Sequence, residues 1–595
     1  MVRDGARRRI AAFLFAGLLA AGTGCRKESG TMSGQAQGDA DTRPYLLETI
    51  GEFAIARVYG DGFEDLAPRD RVLAYYLSRA AIAGRDIYYD QMGRDNLEVR
   101  DLLEEILTHP HEVVPEVREA LLRYLKLFWI NNGNHNERTR RKFVPEFTFE
   151  QLQGAAAAAA RTGASFSLAL GETLTAKIAR LRAVIFDPEF EPLSTCKTPP
   201  PGRDLLTCSS VNFYERLTLA EVEAFRETHP LNSRLVRKDG AVIEEVYRAG
   251  RSAAPGGAAA PGGTAVPEGR YALQLRAVIG FLEKARAHAG PGQAAVLAEL
   301  IEHFATGDPE AFRRYNIAWV RDEGPVDTIN GFIETYKDPR GQKGAYEGLV
   351  HFVNRPMNRM QKAIADLAQD FEDRAPWDDR YKRRGFSIPV ANAVNVIAAI
   401  GDGGPMPAIG VNLPNEEAIR ERHGNKSVSF INIMDAGHRA THGATVEEFF
   451  LPEDRRLQQE HGADIGLLMT ALHEILGHAS GKVSDTLKGD PRDHLREYYS
   501  ALEEARAELV ALHTLFDPAL RAAGAVASEA VAEAGYRDYA THDLLMLRRL
   551  REGDQIEDDH MRATHLIVGY LKDVAGAVEQ VRRDGRSYMH VKDIG

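Results

Sequence analysis

Cysteine is nearly absent from these 595 residues: Cys25, Cys196 and Cys208 are all there is. With Cys25 isolated near the N-terminus, one disulfide, Cys196 to Cys208, is the most the rest of the chain can form. It would close the loop from Lys197 to Thr207; two free buried thiols are the alternative. Positive charge is in deficit as well, with 74 Lys and Arg against 86 Asp and Glu, a net charge of −12. Phosphate binding needs concentrated Lys and Arg, and no basic stripe with interleaved aromatics occurs, which argues against a nucleic-acid partner. The apolar run from Ile10 to Ala21 has only twelve residues, short of the roughly 20 that a membrane-spanning helix needs. No internal repeat period stands out.

What is present looks like an ordinary globular protein, 44% hydrophobic and 27% charged. At this length one small core is not enough, so two large lobes or several domains are expected. Arg3, Arg7, Arg8 and Arg9 precede the apolar run, which ends in Ala-Gly-Thr-Gly-Cys25. This pattern suits an export signal, and small residues before a cysteine resemble a bacterial lipobox. It predicts a signal peptide over 1–25, lipidation at Cys25 and a flexible polar tether over 26–44. The protein would then be lipid-anchored in the bacterial cell envelope, facing the periplasm. Arg26 stands where an Asp would signal inner-membrane retention, which favours the outer membrane. The plainer alternative is an ordinary cysteine in a cleaved signal. Export would also permit the Cys196–Cys208 disulfide.

Apolar residues at three- and four-residue spacing, such as Leu102, Leu103, Ile106 and Leu107, predict helix through most of the chain. The run of six alanines after Gly154 is read as helix without chemistry. The Ala-, Pro- and Gly-rich stretch over 250–269 cannot bury a core and is expected to be a mobile insertion. Strand-like patches are fewer: Ala241 to Tyr247, Phe386 to Val390, Val394 to Ile400, Val428 to Ile433 and Ser587 to Val591. The expected class is α+β, predominantly helical.

The chemistry concentrates in Ala471-Leu-His-Glu-Ile-Leu-Gly-His478. Two imidazoles bind zinc well, and a glutamate beside one of them can act as general base. His473 and His478 are five residues apart, which an ideal α-helix separates by about 140°. Both can face one metal only if the helix absorbs an extra residue, so a π-type bulge is predicted between Glu474 and His478, eased by Gly477. A catalytic zinc needs a third protein ligand and an open position. The acidic run Leu502-Glu-Glu-Ala-Arg-Ala-Glu508 can supply one ligand and also carboxylates that orient a histidine ring. His438-Arg-Ala-Thr-His442 has helical spacing but no glutamate after its first histidine, and is read as a loop or helix-end pair.

HEILGH followed by EEARAE resembles the dipeptidyl peptidase III family, whose signature is HExxGH with a downstream EExRAE or EExRAD. The resemblance implies one zinc per chain on His473, His478 and Glu504, Glu474 as base for a zinc-activated water, and Glu503 and Glu508 as carboxylates behind the ligands. Phe128-Trp-Ile-Asn-Asn-Gly-Asn134, Gly331-Phe-Ile-Glu-Thr-Tyr-Lys-Asp-Pro339 and Gly410-Val-Asn-Leu-Pro-Asn415 resemble further family segments. From these, Asn412 and Asn415 are implied to hold the substrate backbone, Asp327 to anchor its amine, and His560 to serve the catalytic cleft. The plainer reading of His560 is a surface histidine in the charged loop Glu557-Asp-Asp-His.

The family pattern departs at Ile329, where better-known members carry an aromatic residue, and it continues past Gly595 to an arginine that grips the substrate's C-terminal end. The resemblance thus implies a chain truncated at its C-terminus. It also implies two lobes around a wide cleft, one helical and zinc-bearing, the other mixed with a small sheet or barrel. Residues 45–345 and 379–420 would form the substrate-binding lobe, 346–378 and 421–595 the catalytic lobe. The implied function is a metallopeptidase removing N-terminal dipeptides from oligopeptides. Two rivals remain: a zinc- or peptide-binding periplasmic lipoprotein without turnover, and a solute-binding protein.

Overall fold

Leu102, Leu103 and Ile106, spaced for a helix, are all buried on one face of the helix Asn96–Thr108. The alanine run is likewise helical, within Phe149–Arg161, where Thr148 and Gln151 satisfy each other's backbone N–H groups in a capping box. With Pro115–Ile130 these helices close a first hydrophobic core around Leu121, Phe128 and Leu152. The computed structural model describes residues 43–251, 265–385, 390–526, 528–551 and 553–594. The expected leader with Cys25, nearly all of the tether, most of the 250–269 insertion and residues 386–389 lie outside them.

A second core forms on a five-stranded sheet of β1 (Val326–Phe332), β2 (Tyr346–Val353), β3 (Val390–Gly401), β4 (Gly410–Leu413) and β5 (Lys426–Phe430). The spatial order is β1-β2-β3-β5-β4; β5 runs parallel to β3, and every other pair is antiparallel. The sheet is open, so the barrel alternative falls away among the described residues. The helices Pro68–Ala83 and Ala272–Arg286 pack on it, joining Leu77 and Leu275 to Val350 and Phe430. At Gly348 of β2 a Cβ would sit 2.7 Å from the Cβ of Ala81, so only glycine admits the helix so closely.

The helices that follow the sheet are α1 (Ile431–Phe449), α2 (Pro452–Leu472), α3 (Tyr499–Thr514), α4 (Glu529–Leu547) and α5 (Asp559–Asp573), and a third core forms among α2, α3 and α4. Ile465, Leu472, Val510, Leu515 and Val531 meet there, with Ile364 from the helix Arg355–Ala365. The hairpin Val578–Arg583 and Arg586–Val591 caps α4 and α5 through Val578, Met589, Ala540 and Val568.

Three expectations are corrected. The lobe boundaries at 345 and 421 cut through the sheet, because Leu349 pairs with Ile329 and Val428 with Asn392. Tyr346–Val353 and Lys426–Phe430 therefore belong to the sheet, and the chain crosses to the helical side only at Asn354 and Ile431. The strand-like patch Val428 to Ile433 ends at Phe430, where α1 begins. His438 and His442 lie well inside α1 with their rings 4.0 Å apart, neither in a loop nor at a helix end. Cys196 and Cys208 are joined as a disulfide. No helix among the described residues is long and apolar enough to cross a membrane.

Candidate active site

α2 runs into a π turn, His473–Gly477, in which His478 N donates to His473 O at 3.0 Å, five residues back. The extra residue brings His478 round onto the face of His473, their ring centroids 4.7 Å apart. Gly477 is required because α3 passes directly behind it: a Cβ would stand 2.7 Å from Ala507 O. The Glu474 carbonyl within this turn is satisfied from the sheet instead of by helix. Asn412 Nδ2 donates to it at 2.6 Å and Ser427 Oγ at 3.1 Å. Asn412 also donates to Ser427 Oγ at 2.9 Å and accepts from Asn425 Nδ2 at 2.5 Å. The side chain expected to hold substrate backbone is thus engaged in fixing the histidine turn.

Glu504 of α3 is 1% exposed and turns Oε2 to within 3.3 Å of His473 Nε2 and 3.5 Å of His478 Nε2. His560 Nδ1, from the first turn of α5, lies 3.3 Å from the same oxygen. Glu474 reaches the cluster too, its Oε1 3.9 Å from His473 Nε2. Of the two carboxylates Glu504 is nearer to both ring nitrogens, so it is the better ligand, and Glu474 stands beside it.

This donor set suits a cation. Glu504 Oε2 and Glu474 Oε2 are buried and have no hydrogen-bond partner among the described residues, an expensive arrangement unless something is bound there. Burial disfavours charge on His478, yet the Glu504 and Glu503 carboxylates outweigh it and push its pKa up to about 10. The negative field that holds this proton would equally hold a metal ion. Two imidazoles and one carboxylate with room for a fourth ligand is a zinc-type set.

Behind the ligands, Glu503 lies 3.1 Å from His478 Nδ1, which fixes that ring's tautomer. Arg506 binds Glu503 at 2.5 Å and donates to Gly477 O and Ser480 O at 2.8 Å each, tying α3 to the end of the π turn. Glu508 is engaged differently from expectation: it accepts from the Tyr539 hydroxyl and from Thr564 Oγ1 at 3.4 Å. Burial holds its carboxyl above the usual range.

The centre opens into a groove of about 570 Å³ between the sheet and the helices α2–α5. From the sheet side Tyr336 donates its hydroxyl to Glu504 Oε1 at 3.0 Å, and its ring lies 6.0 Å from that of His560. Burial disfavours the charged form of His560, but Glu504 prevails and raises its pKa to about 10. Asn415 lines the groove as expected and donates to Glu334 Oε2 at 3.2 Å. Burial pushes Glu334 up to about 7, and the nearby Asp402 adds to the shift. Ile329 lines the groove as well.

Asp327, expected as the amine anchor, lies away from the groove. It is 6% exposed, is not among the groove-lining residues, and pairs with Lys426 Nζ at 2.9 Å. Glu334, seven residues further on, is one of the carboxylates that do line the groove, on the sheet side beside Asn415. Sequence reasoning overlooked both Glu334 and Tyr336, although both lie inside the segment Gly331-Phe-Ile-Glu-Thr-Tyr-Lys-Asp-Pro339.

Known proteins resemble this chain in sequence and in fold. Residues 219–493 match the model of peptidase family M49. Human dipeptidyl peptidase 3 is 27% identical over 540 residues, covering 80% of this chain and 71% of the human protein. The structure of DPP III from Caldithrix abyssi superposes with a TM-score of 0.62 at 19% identity, covering 90% of this chain and 84% of that one. For dipeptidyl-peptidase III from Corallococcus sp. strain EGB the TM-score is 0.65 at 18% identity, with 90% and 83% covered.

Proposed function

This chain belongs to the dipeptidyl peptidase III family, peptidase family M49, and from that premise we propose that it is a zinc-dependent exopeptidase releasing N-terminal dipeptides from oligopeptides. The observation that carries the reading is the convergence of His473, His478 and Glu504 on one point, with Glu474 alongside and a groove in front. Zinc held by the first three residues would supply Lewis acidity, polarising the scissile carbonyl and acidifying a water.

The chain's own groups do the rest. Glu474 accepts the proton of the attacking water and later delivers it to the leaving amine; its unpartnered Oε2 is ready for that task. His560 and the Tyr336 hydroxyl face the carboxylate oxygens of Glu504 from the groove side, within reach of an oxyanion developing there. Glu334, steadied by Asn415, receives the substrate's ammonium group, and its distance from Glu474 sets how many residues are removed. Asn412 keeps Glu474 in register by holding its carbonyl. The same reading places the protein in the bacterial envelope on a lipidated Cys25. The Cys196–Cys208 disulfide fits an oxidising compartment, and globomycin should block processing of the leader.

The test is mass spectrometry of an oligopeptide incubated with purified protein, with free and acetylated N-termini compared and a Glu474→Ala control. Stepwise loss of dipeptides from the free-amine peptide alone, abolished in the control, is expected. Cleavage of both peptides would contradict the exopeptidase assignment. No cleavage by zinc-loaded protein would favour a binding protein without turnover.

A further inference from the structure

Glu557-Asp-Asp-His560 reads as a solvated acidic loop, yet the three carboxylates are 4%, 4% and 3% exposed. Buried carboxylates need partners, and each of these has one. Asp558 accepts from Met561 N at 3.1 Å, capping α5, and faces Arg140 Nη2 at 3.4 Å. Lys197 contacts both of the others, with Arg562 Nη1 4.0 Å from the second oxygen of Asp559. Lys197 donates its backbone N–H to Glu557 Oε2 at 2.7 Å and its ammonium to Asp559 Oδ2 at 2.5 Å.

Lys197 is itself well anchored. It follows Cys196, which is bonded to Cys208 and whose N–H donates to Ser209 Oγ at 2.9 Å. Thr195, two residues earlier, donates its hydroxyl to the carbonyl of Lys337 at 2.6 Å, and Lys337 follows Tyr336. Residues 195–197 therefore bridge the segment that carries Tyr336 and the turn that carries His560. Both of those side chains reach Glu504, at 3.0 Å and 3.3 Å. Lys197 is not among the groove-lining residues, so it has no route to substrate.

We propose that Lys197 is a positioning residue for the peptidase reaction: gripping Glu557 and Asp559 from a disulfide-closed turn, it fixes the His560 ring against Glu504 and beside Tyr336. This rests on the role assigned to His560 above. The His560 ring stands in the first turn of α5, where its direction follows the start of the helix. That start is held by the buried contacts of residues 557–559, and a displacement of about 1 Å there is enough to matter for catalysis. Both ends of this ion pair are buried, so breaking it strands a charge away from water, which suits a contact that must stay made.

The experiment uses the zinc-loaded full chain and reads kcat, KM, bound zinc and melting temperature. Lys197→Met combined with Asp559→Asn removes both charges, so that neither is left buried alone. This double variant should lower kcat roughly 10- to 100-fold with zinc content unchanged, while Lys197→Arg keeps most activity; Asp559 itself lines the groove, so the positioning role is read from the His560 background. Introduced into a His560→Ala background, the same pair should change kcat by roughly twofold or less, because the group it positions is gone. Should the double variant fail to fold, Cys196→Ala with Cys208→Ala loosens the turn and leaves the ion pair in place. A loss of kcat in the same direction, again dependent on His560, is expected. The inference is overturned if kcat survives in both variants, or if the loss is equally large without His560. If His560→Ala alone leaves kcat intact, the reading of His560 fails first; if it impairs kcat and the Lys197 effect is still additive, only the positioning role fails.

Discussion

At the scale of single residues, the groups proposed to hold the metal are distinct from those proposed to do chemistry. Glu474→Ala should abolish turnover, by about 10²- to 10⁴-fold, while zinc binding measured by chelator competition stays near wild type. Glu503→Ala should do the opposite first, weakening zinc roughly 10- to 100-fold, because His478 loses the carboxylate that orients it. Glu334 gives a pH signature. With its pKa pushed up to about 7, it is protonated below that pH and loses the charge that attracts an ammonium group. KM for free-amine peptides should therefore rise as pH falls from 8 to 6. Glu334→Gln should raise KM about tenfold or more and flatten that dependence; a steep profile surviving in the variant would rule Glu334 out. The clustering of His473, His478 and Glu504 was legible in the sequence because imidazole and carboxylate chemistry is tied to spacing. Asp327 was not: a carboxylate's position in a motif does not tell whether it faces the groove or, as here, a buried lysine.

At the scale of elements, the five-residue interval between His473 and His478 was enough to anticipate the π turn, since no straight α-helix aims both rings at one metal. Gly477→Ala tests the packing that holds this turn. Its methyl would meet Ala507 O at 2.7 Å, so a loss of about 1–3 kcal/mol in denaturant unfolding is expected, together with weaker zinc binding. Unchanged stability would mean that α3 does not press on the turn as described. By contrast β1 and β2 were invisible to pattern reading. They carry Asp327, Thr328, Asn330, Glu347 and His351 at buried positions, so no run of apolar residues announces the centre of a sheet. The same effect misplaced the lobe boundary at 345, in front of a strand that pairs on both sides.

At the scale of the whole molecule, stability should depend on pH through histidines buried without charge. His135, His303 and His351 are 7%, 2% and 3% exposed, and burial lowers each pKa from 6.5 to about 4. Their contribution is complete above 6.5. Between 6.5 and 4 the unfolded chain binds more protons, so stability falls, by about 1.4 kcal/mol per pH unit for each histidine. Melting temperatures measured across this range should drop accordingly. His351→Phe should flatten the decline, since both ring nitrogens of His351 lack partners among the described residues. The two-lobed, mainly helical plan was readable from length, helical periodicity and family resemblance; the joining of lobes by Lys197, Arg140 and Arg141 to residues 554–559 was not, because such pairs are remote in sequence. The central claim is one zinc on His473, His478 and Glu504, and anomalous diffraction at the zinc edge from crystals of the zinc-loaded protein tests it most directly. The account predicts a single peak about 2.0–2.2 Å from both Nε2 atoms and a Glu504 oxygen, with Glu474 outside bonding distance. A peak ligated by Glu474 in place of Glu504, or no peak at this cluster, would contradict it.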